Sequence, residues 1–129
     1  MSARIDHIKA LRDPSDPHEY NCAQVLMMGF HDVLGVSEAQ AAKMSVFYGG
    51  GMSHGSVCGA VSAALMILGA GGASGLEAGR FLQEFRSRHE STQCAALLTK
   101  SHARGIPKKV HCDGLIFEVA EALEKELKL

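Results

Sequence analysis

The chain has 129 residues, 47% of them hydrophobic and 21% charged, with a formal net charge of −1. That length suits one globular domain burying about two-thirds of the surface its unfolded chain would expose. The charge balance gives no reason to expect nucleic acid as a partner, since such domains carry a basic stripe.

The opening residues, Met1-Ser2-Ala3-Arg4-Ile5-Asp6, lack the apolar region and small-residue cleavage site of a secretory signal, so a cytoplasmic location is expected. Taken in chain order, every segment reads as helix. Arg4 to Leu11 sets Ile5, Ile8 and Leu11 on one side of a short amphipathic helix that Pro14 and Pro17 end. The next helix has two candidate starts. Asp16-Pro17-His18-Glu19 offers a cap, a proline at the first position and a glutamate at the third; Asn21 is the other cap and places Cys22 in the first turn. Either way the helix runs to about Leu34 and stops at Gly35. Ser37-Glu38-Ala39-Gln40 is a capping box for a third helix that ends at Gly49-Gly50-Gly51.

Ser56 to Leu68 forms a fourth helix, rich in Ala and Gly and free of charge. Ser74-Gly75-Leu76-Glu77 caps a helix through about Arg88, with Leu76, Phe81, Leu82 and Phe85 inward. A short helix from Ser91 to about Lys100 follows. Gly105-Ile106-Pro107 then breaks the chain before a last helix, roughly Asp113 to Leu127, which buries Ile116, Ala120, Leu123 and Leu127. On its exposed side Glu121–Lys125 and Glu124–Lys128 have i,i+4 spacing. No run alternates with period two, so no sheet is expected. The prediction is an all-α single domain over residues 1–129, with 1–16 as an N-terminal segment. It is a compact bundle of about five to seven helices around the buried Ala/Gly-rich fourth helix. Between Lys43 and Glu77 no residue is formally charged, but the apolar run is shorter than the roughly 20 residues of a membrane span. A buried central helix is the better reading.

The candidate chemistry lies in four cysteines, Cys22, Cys58, Cys94 and Cys112, none of them in a CxxC pair. Ser56 reads as a cap with Cys58 second in its helix, and Ser91 as a cap with Cys94 third. Unpaired N–H groups and about half a positive charge at a helix start favour thiolate, the form that attacks disulfides and binds metals. In a reducing compartment such a set points to redox, catalytic or metal chemistry, although any one cysteine alone reads as a small buried hydrophobe. Gly50, Gly51, Gly55 and Gly59 surround the Cys58 helix start. They form a candidate anion- or cofactor-binding loop, or a means of aiming N–H groups at the Cys58 sulfur, or a plain interhelix loop. The GK[ST] ending of a phosphate loop is absent. Lys100, Arg104, Lys108 and Lys109, with His102 and His111, form a basic stretch around Cys94 and Cys112, either depressing thiol pKa values or simply solvated. His54 and His111 are secondary candidates as proton acceptors or metal ligands.

Asn21-Cys22-Ala23-Gln24, Gly49-Gly50-Gly51-Met52 and Cys58-Gly59-Ala60, followed by Cys94 and Cys112, resemble the redox-active proteins named for their C_GCAxxG_C_C pattern. The resemblance covers nearly the whole chain after about His18. It departs at Ala63, where that pattern has glycine. It implies redox activity and association with a transporter. Members with selenocysteine imply that one sulfur position is a nucleophile.

The leading expectation is dithiol/disulfide cycling, as in a thiol-disulfide oxidoreductase, with an unknown redox partner protein or small thiol. Cys58 is the preferred nucleophile, and four cysteines allow three pairings. The alternative is a zinc or iron–sulfur site with Cys22, Cys58, Cys94 and Cys112 as ligands, although zinc sites and common ferredoxins take paired ligands from a CxxC turn. A third reading is a non-catalytic helical interaction module, possible as a homo-oligomer, whose cysteines are core.

Overall fold

The computed structural model describes residues 2–15 and 18–129. Ser2 accepts the amide of Ile5 and starts α1, Ala3–Leu11, whose Ile5 and Ile8 are buried. Of the two starts foreseen for the next helix, the one on Asp16-Pro17 lies outside the described residues. The helix begins at Cys22: Asn21 and Gln24 form a reciprocal capping box, and α2 spans Cys22–Gly29. It does not continue unbroken to Leu34. At Phe30 the backbone leaves the helix (φ −112°, ψ 23°), and the four-residue α3, His31–Leu34, follows before Gly35 closes it in the left-handed region. Arg4 supports this break. Its guanidinium donates to the Gly29 carbonyl, pairs with Asp32 and lies 4.7 Å from the centre of the Phe30 ring.

Ser37 caps α4, Glu38–Ser45, which ends four residues before the glycines expected to stop it. The buried Ser45 hydroxyl donates back to the Ala41 carbonyl, a local bond that competes with helix continuation. An irregular turn, Gly51–Gly55, precedes α5, Gly59–Ala70. The Ser74/Glu77 capping box opens α6, Gly75–His89. Phe85 of this helix is buried, but Leu76, expected inward, is 88% exposed. The helices α7, Cys94–Ala103, and α8, Lys108–Leu127, complete the chain. The last helix starts five residues earlier than predicted. Pro107 supplies the turn, and Asp113, which looked like a starting residue, instead pairs one turn back with Lys109. Glu124, expected beside Lys128, faces Arg4 at 3.9 Å.

Among the described residues there are eight α-helices and the irregular turn, and no strand, so the fold is all-helical with slightly more pieces than predicted. The centre is shared. All residues of α2 after Cys22 are buried, as are Gly59, Ala60, Val61, Ala63, Ala64, Ile67 and Leu68 of α5. The helix α2 packs against α1, α4, α5 and α8, and α5 against α8 and α6. Small side chains on α5 permit this close approach; Ala63, the departure from the resembled pattern, is fully buried. Among the described residues no helix is long and apolar enough to cross a membrane.

Candidate functional site

Each cysteine sits on a different helix, near its start. Cys22 is the first residue of α2, Cys58 caps α5, Cys94 is the first residue of α7, and Cys112 lies one turn into α8. Two expected positions are corrected here. Ser56 is not the cap of α5, nor Ser91 the cap of α7; Gln93 is. The reason is an antiparallel bridge between Val57 and Gln93. Within it the Cys58 amide donates to the Thr92 carbonyl and the Cys94 amide to the Ser56 carbonyl, both at 2.7 Å. This extended pairing delays both helices and ties their starts together, with Cys58 opposite Thr92 and Cys94 opposite Ser56.

Glycines bring the other pieces into contact. A Cβ on Gly59 would lie 2.6 Å from the Cys22 sulfur and 3.0 Å from the Tyr48 carbonyl oxygen. A Cβ on Gly51 would lie 2.7 Å from Cβ of Cys94, and one on Gly55 3.1 Å from Cβ of Ala95. The preceding loop is held at the start of α2 by Asn21, whose amide donates to the Val46 carbonyl at 2.9 Å. Gly50, Gly51, Met52 and Ser53 all have positive φ, making a short left-handed turn. The amide of Ser56 closes it on the Gly51 carbonyl.

All four cysteines line one small inner cavity of about 40 Å³, together with Gly50, Lys108, His111 and apolar side chains. All four thiols are free. The charge environment reverses the expectation for Cys58. Burial, then the neighbouring Cys22, push its thiol up to about 12, against the pull of the Val61 and Ala60 amides. No side-chain capping hydrogen bond accompanies that pull. A helix start contributes about 0.3–1 kcal/mol, under one pKa unit, whereas full burial moves a group by up to about 3–5 units. Burial and Cys22 also raise Cys94, with Lys108 opposing. Cys112 is raised by burial and Cys22, with Arg12 and Lys108 opposing. The His111 pKa is lowered by burial and by His89. Cys22 thus raises each of the other three thiols, with which it shares the inner cavity.

A family model described as "Putative redox-active protein (C_GCAxxG_C_C)" matches residues 20–126. The chain belongs to the C_GCAxxG_C_C family. No curated protein and no solved structure matches it. The matched span begins just before the Asn21 cap and takes in all four cysteines that line the inner cavity.

Of the other candidates, His111 reaches this cavity and His54 does not; the His54 ring lies 2.8 Å from the Met52 carbonyl in the exposed loop. Gly50 lines the cavity, whereas Gly51, Gly55 and Gly59 face protein atoms. Among the described residues no three His, Cys, Asp or Glu side chains are grouped to hold a metal ion. Two residues not singled out in the sequence matter here. Arg12 follows α1 and reaches the region of Cys112 because its Nε donates to Asp113 at 2.6 Å. Tyr20 holds the same guanidinium through its carbonyl. Nothing local in the sequence marks either residue; the contact spans about a hundred positions and exists only through packing of α1 on α8.

Proposed function

We propose that this C_GCAxxG_C_C protein is a dithiol/disulfide redox protein whose four cysteines exchange sulfur–sulfur bonds around the inner cavity. The observation that carries this reading is their convergence on one small cavity. Thiol exchange needs a second sulfur within reach of the first, and here four helices bring their cysteines to one cavity without a CxxC turn. Buried thiols cost nothing to keep neutral, and a disulfide is neutral as well, so the apolar cavity tolerates both redox states. Metal ligation is less well supported, since the side chains are not grouped for it. This reading places the protein in the cytoplasm as one domain over residues 1–129, passing electrons to a partner protein or a small thiol. Association with a transporter and with a second copy of the chain are further parts of the proposal.

The test is the mass of the protein after alkylation without reduction, under denaturing conditions, with metal analysis of anaerobically purified material. The expected result is two or four cysteines protected as disulfide after mild oxidation, and no stoichiometric metal. Four free thiols with stoichiometric iron or zinc would replace this reading with a metal site. Cys58→Ser is expected to abolish complete cycling while leaving the helical circular dichroism intact. Because its sulfur is buried, this reading gives Cys58 the receiving role inside the cavity rather than the first attack.

A further inference from the structure

A second, larger cavity of about 460 Å³ opens beside the first, in the size range of small-molecule sites, roughly 300–1,000 Å³. Cys22 and Cys112 line both cavities, whereas Cys58 and Cys94 line only the inner one. Gly50 and Lys108 complete the shared wall, and nothing within 4 Å would meet a Cβ at Gly50, so a ligand can approach the backbone there. The outer cavity thus gives access to one specific pair of sulfurs.

Its charges also differ in availability. Arg12 is held by Asp113 and the Tyr20 carbonyl, and Lys109 by Asp113 and the Arg12 carbonyl. Lys108 is exposed, and among the described residues it makes no ion pair, although it faces Cys94 and Cys112. Two acids line the same cavity. Asp13 accepts the amide and hydroxyl of Ser15, and Glu19 is exposed. An anion entering the cavity is repelled from the Glu19 side and drawn to Lys108, beside the sulfurs.

We infer that the outer cavity binds a low-molecular-weight disulfide bearing a carboxylate, which Lys108 holds while Cys112 and Cys22 reduce it. The inference rests on the thiol/disulfide reading and adds the substrate class and the working pair. Cys112, the sulfur facing the cations, loses its proton to water and attacks one sulfur of the ligand RS–SR. A Cys112–SR bond forms, the ligand S–S bond breaks, and RS⁻ leaves and takes up a proton. Cys22 then attacks the Cys112 sulfur, its own proton ending on the second RSH. The sum is two protein thiols and RS–SR giving one Cys22–Cys112 disulfide and two RSH. Cys58, which lines the inner cavity with Cys22, then attacks the Cys22 sulfur and its proton passes to Cys112, moving the bond inward and freeing Cys112.

The experiment mixes the fully reduced protein with oxidised glutathione, an acidic disulfide, and separately with cystamine, a cationic one. Acid-quenched alkylation and peptide mapping follow the bonds in time. The first intramolecular bond is expected between Cys22 and Cys112, and in Cys22→Ser a glutathionyl adduct is expected to accumulate on Cys112. Lys108→Glu should lower the ratio of glutathione-disulfide rate to cystamine rate by about threefold or more, the scale of an exposed charge pair. A first bond between Cys58 and Cys94, an adduct on Cys94, or an unchanged ratio would overturn the inference. If Cys22→Ser fails to fold, the wild-type order of bonds and the Lys108→Glu ratio still decide. Diamide separates the two levels of failure. Disulfide formed with diamide but not with oxidised glutathione removes this inference and leaves the redox reading standing. No disulfide with either oxidant removes both.

Discussion

At the scale of single residues, two contacts make Cys22 and Cys58 experimentally separable. Gly59 is the point where α5 touches α2, and a methyl there would press on the Cys22 sulfur and the Tyr48 carbonyl. Gly59→Ala is therefore expected to cost about 1–3 kcal/mol, the usual range for overpacking, although alanine is the better helix former. It should also change the alkylation rate of Cys22, since the sulfur must move. Unchanged stability and rate would mean the two helices part without effort. Cys58 makes a prediction about pH. Its thiol is pushed up to about 12 from an ordinary 9.0, so between those values the folded chain keeps a proton that the unfolded chain has released. The unfolded state then binds fewer protons, so stability is full below about pH 9 and falls as pH rises toward 12, by up to ~1.4 kcal/mol per unit. Cys94 and Cys112 shift in the same direction and add to the fall. Denaturant titrations between pH 8 and 11 should show this decline, and Cys58→Ala should flatten it. A variant as steep as the wild type would assign the decline to other groups.

The elements differ in how far their bounds could be read from sequence. Caps that act through their own side chains were legible: Asn21 with Gln24, Ser37 with the Gln40 amide, and Ser74 with Glu77 all stand where the sequence places them. Starts decided by distant backbone were not. The Val57–Gln93 bridge sets the first turns of α5 and α7, and no local signal marks a pairing across 36 positions. The turn Gly50–Ser53 was legible as glycine-rich but not as left-handed, because Met52 and Ser53 join it with φ of 59° and 66°. For residues with a Cβ this region costs about 1–2 kcal/mol each. Ser53 offsets part of that through its hydroxyl, which donates to the Phe47 carbonyl at 2.7 Å, whereas Met52 is partly exposed. Met52→Gly should relieve the strain, less the greater entropy glycine loses on folding, for a net gain of about 0.5–1 kcal/mol. Thermal unfolding measures it. A lower melting temperature would show that the Met52 side chain holds the turn through its contacts.

For the molecule as a whole, the sequence conveyed an all-helical chain with four cysteines, and packing decided which of them line the outer cavity. Cys22 and Cys112 lie at opposite ends of the matched span but come together because α2 and α8 pack against each other. A disulfide between them closes a loop of about 90 residues, and the chain-entropy argument gives such a loop more than 4 kcal/mol, with about 2–4 typically observed. The oxidised protein should accordingly resist guanidinium better than the reduced protein by about 3 kcal/mol, and Cys22→Ser should lose that increment. The same cycle fixes the electrochemistry. Whatever stability oxidation adds to the fold, the fold adds to the driving force for oxidation, so the native pair should be harder to reduce than the same pair in denaturant. About 3 kcal/mol corresponds to roughly 60 mV for two electrons. Equilibration against a glutathione redox buffer, with and without guanidinium, measures both potentials. A native potential equal to the denatured one would mean that α2 and α8 must be strained to bring the sulfurs together, and that the fold favours the dithiol as much as the bond.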